Sequence, residues 1–185
     1  MSLVDLIAQA DERGLAASGL ACLDRCVPLL GGDEEVLRPL WANLADAGDT
    51  GDWAERLDDA RGKLGVCGEP GEGEAAMLAR RMLAAAPDER SGGPVRVWAD
   101  ACSVAALQIH RLLDPADDEA SSVDARREGR TDGMSPLVAA ELRRQVTVLE
   151  VLAGHGAGGL RRALEVSSEG RRVLQAVVAR RARRG

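Results

Sequence analysis

Asp100, Ser103 and His110 are the residue types of a nucleophilic triad, and all three stand in one stretch, Val95–Leu113. Acyl transfer would need His110 to activate Ser103 and Asp100 to orient the imidazole. The stretch reads VRVWADACSVAALQIHRLL, and its apolar residues recur at helical spacing. On one helix, Ser103 and His110 sit about 10.5 Å apart along the axis, whereas direct proton transfer needs roughly 3 Å. The spacing therefore predicts ordinary helix chemistry: Asp100 pairs with Arg96 one turn earlier, and His110 lies at the margin of an apolar arc. Cys22 and Cys26, at i and i+4, could share a metal only with ligands from elsewhere. A single C-x-x-x-C without matched His or Cys spacing reads as two small buried hydrophobes, and no metal is expected.

A second candidate is Gly154-His155-Gly156 with Gly159, inside VTVLEVLAGHGAGGLRRALE. Gly154, Gly156 and Gly159 fit G-x-G-x-x-G, and Val146–Leu152 is rich in β-branched residues. Over about twenty residues the segment resembles a nucleotide-binding or methyltransferase glycine loop, which would imply a strand, a phosphate-binding turn and a helix. The acid that would hold a ribose is due about 20 residues past the first glycine, yet no acid follows Glu169. Upstream, Ser135-Pro136 opens a helix that AAELRRQ carries straight into the Val segment. The prediction is a helix stopped by glycines and followed by another helix.

The elements that would position these residues are all helical. Ser2 caps a helix over Leu3–Asp11 that Gly14 ends; Leu15–Val27 comes next, and Pro28 closes it. Asp33 caps a further segment with a turn at Pro39 before Leu40–Ala47. Asp52–Leu64, Glu74–Ala86 and the long central helix Val95–Leu113 continue the series, separated by glycine-rich turns. Asp114–Met134 has one Val and no large hydrophobe before Met134, so a mobile acidic and polar loop is expected over 114–134. Two long helices, Pro136–Ala153 and Leu160–Arg183, end the chain, with Gly170 a candidate interruption in the last.

The chain has 185 residues, three Trp, and neither Phe nor Tyr. That length suits one domain burying about 70% of its unfolded surface, with Leu, Val, Ala and Trp as filling. Every basic residue but Lys63 is Arg, matching the codon bias of a GC-rich genome. Residues 1–132 hold 26 acids and 14 bases, and residues 133–185 hold four acids and ten bases. Asp46, Asp49, Asp52 and Glu55 open an acidic run without calcium-loop spacing. Arg171, Arg172, Arg180, Arg181, Arg183 and Arg184 make the last helix basic. An acidic surface of this chain, or of a second copy, fits that helix better than nucleic acid, given the overall charge of −6 and the absence of interleaved aromatics. No signal-like or membrane-spanning run is present, so a cytoplasmic location is expected.

The reading that results is an all-α, single-domain irregular bundle of about seven to eight helices. It works as a protein–protein interaction or regulatory module without catalysis or cofactor, self-association as a homodimer being one form of that interaction. The alternative is an enzyme or small-ligand binder with a pocket near the central helix, whose polar groups would be Asp100, His110 and the 154–159 glycine loop with His155. Nucleic-acid binding through the Arg-rich end is the third reading.

Overall fold

The computed structural model describes residues 1–46, 51–64, 72–116 and 121–185, and every regular element among them is helical. In chain order these are α1 (Leu3–Gln9), α2 (Glu12–Cys26), α3 (Arg38–Ala45), α4 (Trp53–Leu64), α5 (Glu74–Ala84), α6 (Gly92–Leu113), α7 (Val123–Arg127), α8 (Pro136–His155) and α9 (Leu160–Ala182). Short 3-10 turns close α2 at Val27–Leu30 and join α8 to α9 at Gly156–Gly159. The fold is an all-α, single-domain bundle, as the periodicity predicted. None of the described helices is long and apolar enough to cross a membrane.

Local chemistry sets most boundaries. Ser2 and Asp5 form a reciprocal capping box, Asp5 N donating to Ser2 Oγ and Ser2 N to the Asp5 carboxylate. Gly14 does not end the first helix. It lies in the first turn of α2, where its amide donates to Asp11, the residue that caps that helix. Pro28 sits in the 3-10 turn that closes α2, and Gly31, at φ +66°, reverses the chain in the left-handed region glycine tolerates. Pro39 falls in the first turn of α3, where a missing amide costs nothing. Ser135 caps α8 through the Val138 amide.

The hub of the bundle is α2 rather than α6. Every residue from Gly14 to Cys26 is buried, enclosed by α6, α8 and α9 with α3 and α5 adding contacts. A helix buried all round normally announces itself as apolar all round; α2 does not, because Ser18, Asp24 and Arg25 are among its buried residues. Close approach to α6 is set by Gly19, where a Cβ would stand 2.7 Å from the Trp98 ring. Trp98 in turn meets Trp53 edge to face, ring centroids 6.4 Å apart, and each indole donates to a backbone carbonyl, of Met82 and Pro87 respectively.

Two expectations change. α9 runs unbroken through Gly170, whose bare Cα lies against Arg25: a Cβ there would be 2.4 Å from that side chain. The glycine admits a buried arginine and does not break the helix. Within the expected 114–134 loop, Ser122 caps the five-residue α7, and Ala125, Arg126 and Arg127 are buried. Polar composition concealed this because the buried side chains are arginines. Residues 117–120 of that segment, Asp49 of the acidic run and Cys67 lie outside the described residues.

Candidate functional site

The chemistry-bearing side chains converge inside the bundle, on a polar network built around a pair the sequence reading did not single out. Arg25 of α2 meets Glu141 of α8 through two parallel bonds, Nε to Oε2 at 2.8 Å and Nη2 to Oε1 at 2.7 Å, with both side chains fully buried. Gln145, one turn along α8, donates to Glu141 Oε1 at 2.9 Å and accepts from Ser103 Oγ at 2.7 Å. Arg127 of α7 donates to Ser103 Oγ at 3.1 Å and pairs with Asp100 where the network reaches solvent. Five helices are thus pinned by one chain of bonds, since Arg25 also reaches Ser167 of α9.

His110 closes the inner end. Its Nδ1 lies 2.7 Å from the Ala106 carbonyl, so that nitrogen carries the proton, and Nε2 is 3.5 Å from Glu141 Oε2. Burial lowers the His110 pKa, outweighing the attraction of Glu141. Burial works to raise the Glu141 pKa, but Arg25, His110 and Gln145 together bring it below the ordinary value. Ser103 therefore spends its hydroxyl on Gln145 and Arg127, not on His110, and the triad geometry is absent. Asp100 does not pair with Arg96 as expected. Arg96 turns to the carbonyls of Ile7, Ala8 and Ala10, satisfying the C-terminal end of α1.

Cys22, Cys26 and Cys102 are buried free thiols. Burial pushes Cys22 up to about 12 and raises the other two as well, so none is poised as a nucleophile. Among the described residues, no group of three or more His, Cys, Asp or Glu is placed to hold a metal ion.

The glycine segment adopts the helix–glycine–helix arrangement predicted for it. Val146–Leu152 lies within α8, which continues to His155; Gly156, at φ +53°, turns the chain into the 3-10 step before α9. Gly159 packs against the Val151 backbone, where a Cβ would come within 2.7 Å of the carbonyl oxygen. Gly154 and His155 are exposed at this end, while His110 is buried in the core. The structure does not bring these residues together.

The surface candidates divide. Arg171 points inward, pairing with buried Asp24 and reaching Glu34 at 3.3 Å, so the basic helix meets acids of its own chain there. Asp24 also accepts from the Trp41 indole at 3.1 Å. Arg172, Arg180, Arg181, Arg183 and Arg184 are exposed, as are Asp46, Asp52 and Glu55. Asp52 pairs with Arg56 at 3.4 Å, and Arg181 donates to the carbonyls of Leu112 and Leu113 at the end of α6.

Two open grooves flank the network. One, of about 830 Å³, lies among the end of α6, the start of α8 and the end of α9. Its floor is Leu113, Leu137, Ala140, Val173 and Val177, and Arg144, Arg180, Arg181 and Arg184 stand around it. Nη1 of Arg144 is buried without a hydrogen-bond partner, and burial lowers that guanidinium's pKa. The other groove, of about 690 Å³, runs between α5 and α6 beside α7, over Leu78, Met82, Trp98, Ala101 and Val104. His110, Asp100 and His155 line neither groove.

The one signal that could have located the network is charge where the helical wheel requires apolar residues: Asp24-Arg25 inside LACLDRCV and Glu141 on the inner stripe of α8. Comparison of the chain with protein-family models, with curated proteins and with solved structures finds no match.

Proposed function

We propose that the chain is a non-catalytic protein–protein interaction module that self-associates through the apolar face of α5 and α6. The observation carrying this reading is the apolar surface the fold leaves uncovered there. Val97 is 73% exposed and Met77 45%, the two most exposed large hydrophobes within the described helices. Val97, Ala101 and Val104 share one stripe of α6 and continue into the groove over Leu78 and Met82. An apolar face framed by polar residues is the usual mark of a contact surface. Arg81 and Asp124 border the same groove with opposite charges, which lets two copies related by a two-fold axis match each other. The absence of catalysis is supported by the network: Ser103, His110 and Glu141 are buried and bonded.

Gel filtration with light scattering over a wide concentration range tests this. The expected outcome is a dimer that dissociates on dilution and that Val97→Asp converts to monomer with its helical circular dichroism intact and its melting temperature no longer dependent on concentration. A strict monomer at every salt and protein concentration overturns the proposal.

A further inference from the structure

The geometry points to the groove among α6, α8 and α9 as a binding site for a free anionic amphiphile, with a carboxylate head on the arginines and an unbranched aliphatic tail along the floor. Its volume of about 830 Å³ falls in the range of small-molecule sites, and its floor is aliphatic throughout, without an aromatic ring. Among the described residues Arg144, Arg180, Arg181 and Arg184 make no ion pair. The one acidic side chain on the lining, Asp114, accepts from the backbone amides of Ala116 and Leu137, at 3.0 and 3.4 Å. The lining thus carries four guanidinium groups against the Asp114 carboxylate, with Glu141 and Glu169 attracting Arg144 from outside it. A carboxylate is the acceptor that a guanidinium fork matches best, and Arg144, Arg180, Arg181 and Arg184 bring such forks to the lining.

A single molecule fits this site better than a bilayer does. Val173, 36% exposed, is the most exposed large hydrophobe of the lining, so the face lacks the protruding apolar anchors that membrane surfaces take. No lining residue is shared with the α5–α6 face, so this proposal stands or falls independently of self-association.

Isothermal titration with dodecanoate below its micellar concentration tests it, with dodecanol, dodecyltrimethylammonium and anionic phosphatidylglycerol vesicles as comparison arms. One saturable site for dodecanoate is expected, with no comparable binding of the alcohol or the cation. Arg144→Gln should weaken it about tenfold, the loss of one charge-assisted hydrogen bond, and Ala140→Trp should block it, with circular dichroism confirming the fold of each. Should Arg144→Gln fail to fold, Arg180→Gln with Arg184→Gln alters exposed positions and is expected to weaken binding in the same direction. Absence of saturable binding, equal binding of the cationic amphiphile, indifference to all these variants, or retention on vesicles alone would each overturn the inference.

Discussion

Arg25 and Glu141 hold each other's charge in a place where neither could survive alone. A fully buried ion has lost its water, and the two parallel bonds, with Gln145, Ser167, Cys22 and His110 beside them, compensate. Removing one partner should therefore cost much more than removing both. Glu141→Leu, which strands the guanidinium, is expected to lower stability by about 3–5 kcal/mol. Arg25→Met combined with Glu141→Leu is expected to recover most of that loss, and a urea-denaturation cycle on the two single variants and the double variant measures the difference. A double variant as unstable as the sum of the singles would mean that the rest of the network, not the pair, sets the cost. Such a pair is hard to read from sequence because its two members are 116 residues apart, and nothing local marks which charges turn inward. The same holds for Arg127, which composition assigned to a loop and which the fold uses to fasten α7 onto Ser103 and Asp100.

At the scale of the helices, glycine placement separates sites of contact from sites of mere permissiveness. Gly19 and Gly62 both stand inside helices, α2 and α4, where glycine is intrinsically unfavourable. A Cβ at Gly19 meets the Trp98 ring at 2.7 Å, while one at Gly62 meets nothing within 4 Å. Gly62→Ala should therefore stabilise the protein by about 0.5–1 kcal/mol. Gly19→Ala should destabilise it by about 1–3 kcal/mol, because the overpacked α2–α6 seam outweighs the gain in propensity. Thermal melts of the two variants, shifting in opposite directions, check the pair. Helix existence was legible wherever the apolar stripe was regular, as in α6, α8 and α9, and wherever a cap residue stood at the boundary, as at Ser2 and Ser135. The central role of α2 was not, since buried Asp24 and Arg25 dilute its apolar pattern, and their partners Arg171 and Glu141 lie on helices the local pattern does not connect to it.

Across the whole molecule, His110, Glu141 and the buried thiols bound the pH range of stability, with Asp24, raised by burial, opposing Glu141 on the acid side. The folded-state pKa of His110 lies below its ordinary value, so between the two the unfolded chain binds more protons and stability falls as pH drops through that interval. Glu141, also lowered, adds to the loss at more acidic pH, below its ordinary range. On the alkaline side the sign reverses. Cys22, raised from 9.0 to about 12, keeps its proton in the fold while the unfolded chain releases it, and Cys26 and Cys102 are raised as well. Stability should decline as pH rises above 9, where the thiols of the unfolded chain ionise and the buried ones keep their protons. Denaturation midpoints measured from pH 4 to pH 11 test the range, and Cys22→Ala should flatten the alkaline slope while leaving the acid limb in place. The sequence exposed the residue types behind this behaviour but not their depth, which only the packing of α2, α6 and α8 around them decides.

The tryptophans lend the molecule an uneven optical view of itself. With no Tyr or Phe, aromatic signal arises from Trp53 and Trp98, stacked edge to face where α4 meets α6, and from Trp41, tied to Asp24 between α3 and α2. Near-ultraviolet dichroism and intrinsic fluorescence thus watch α3, α4 and α6 and what packs on them, whereas α8 and α9 contribute no chromophore. Loosening of those last two helices would register first in the amide bands and reach emission through Trp41, whose Asp24 partner pairs with Arg171 of α9, so a gap between the two melting curves would time their separation from the rest.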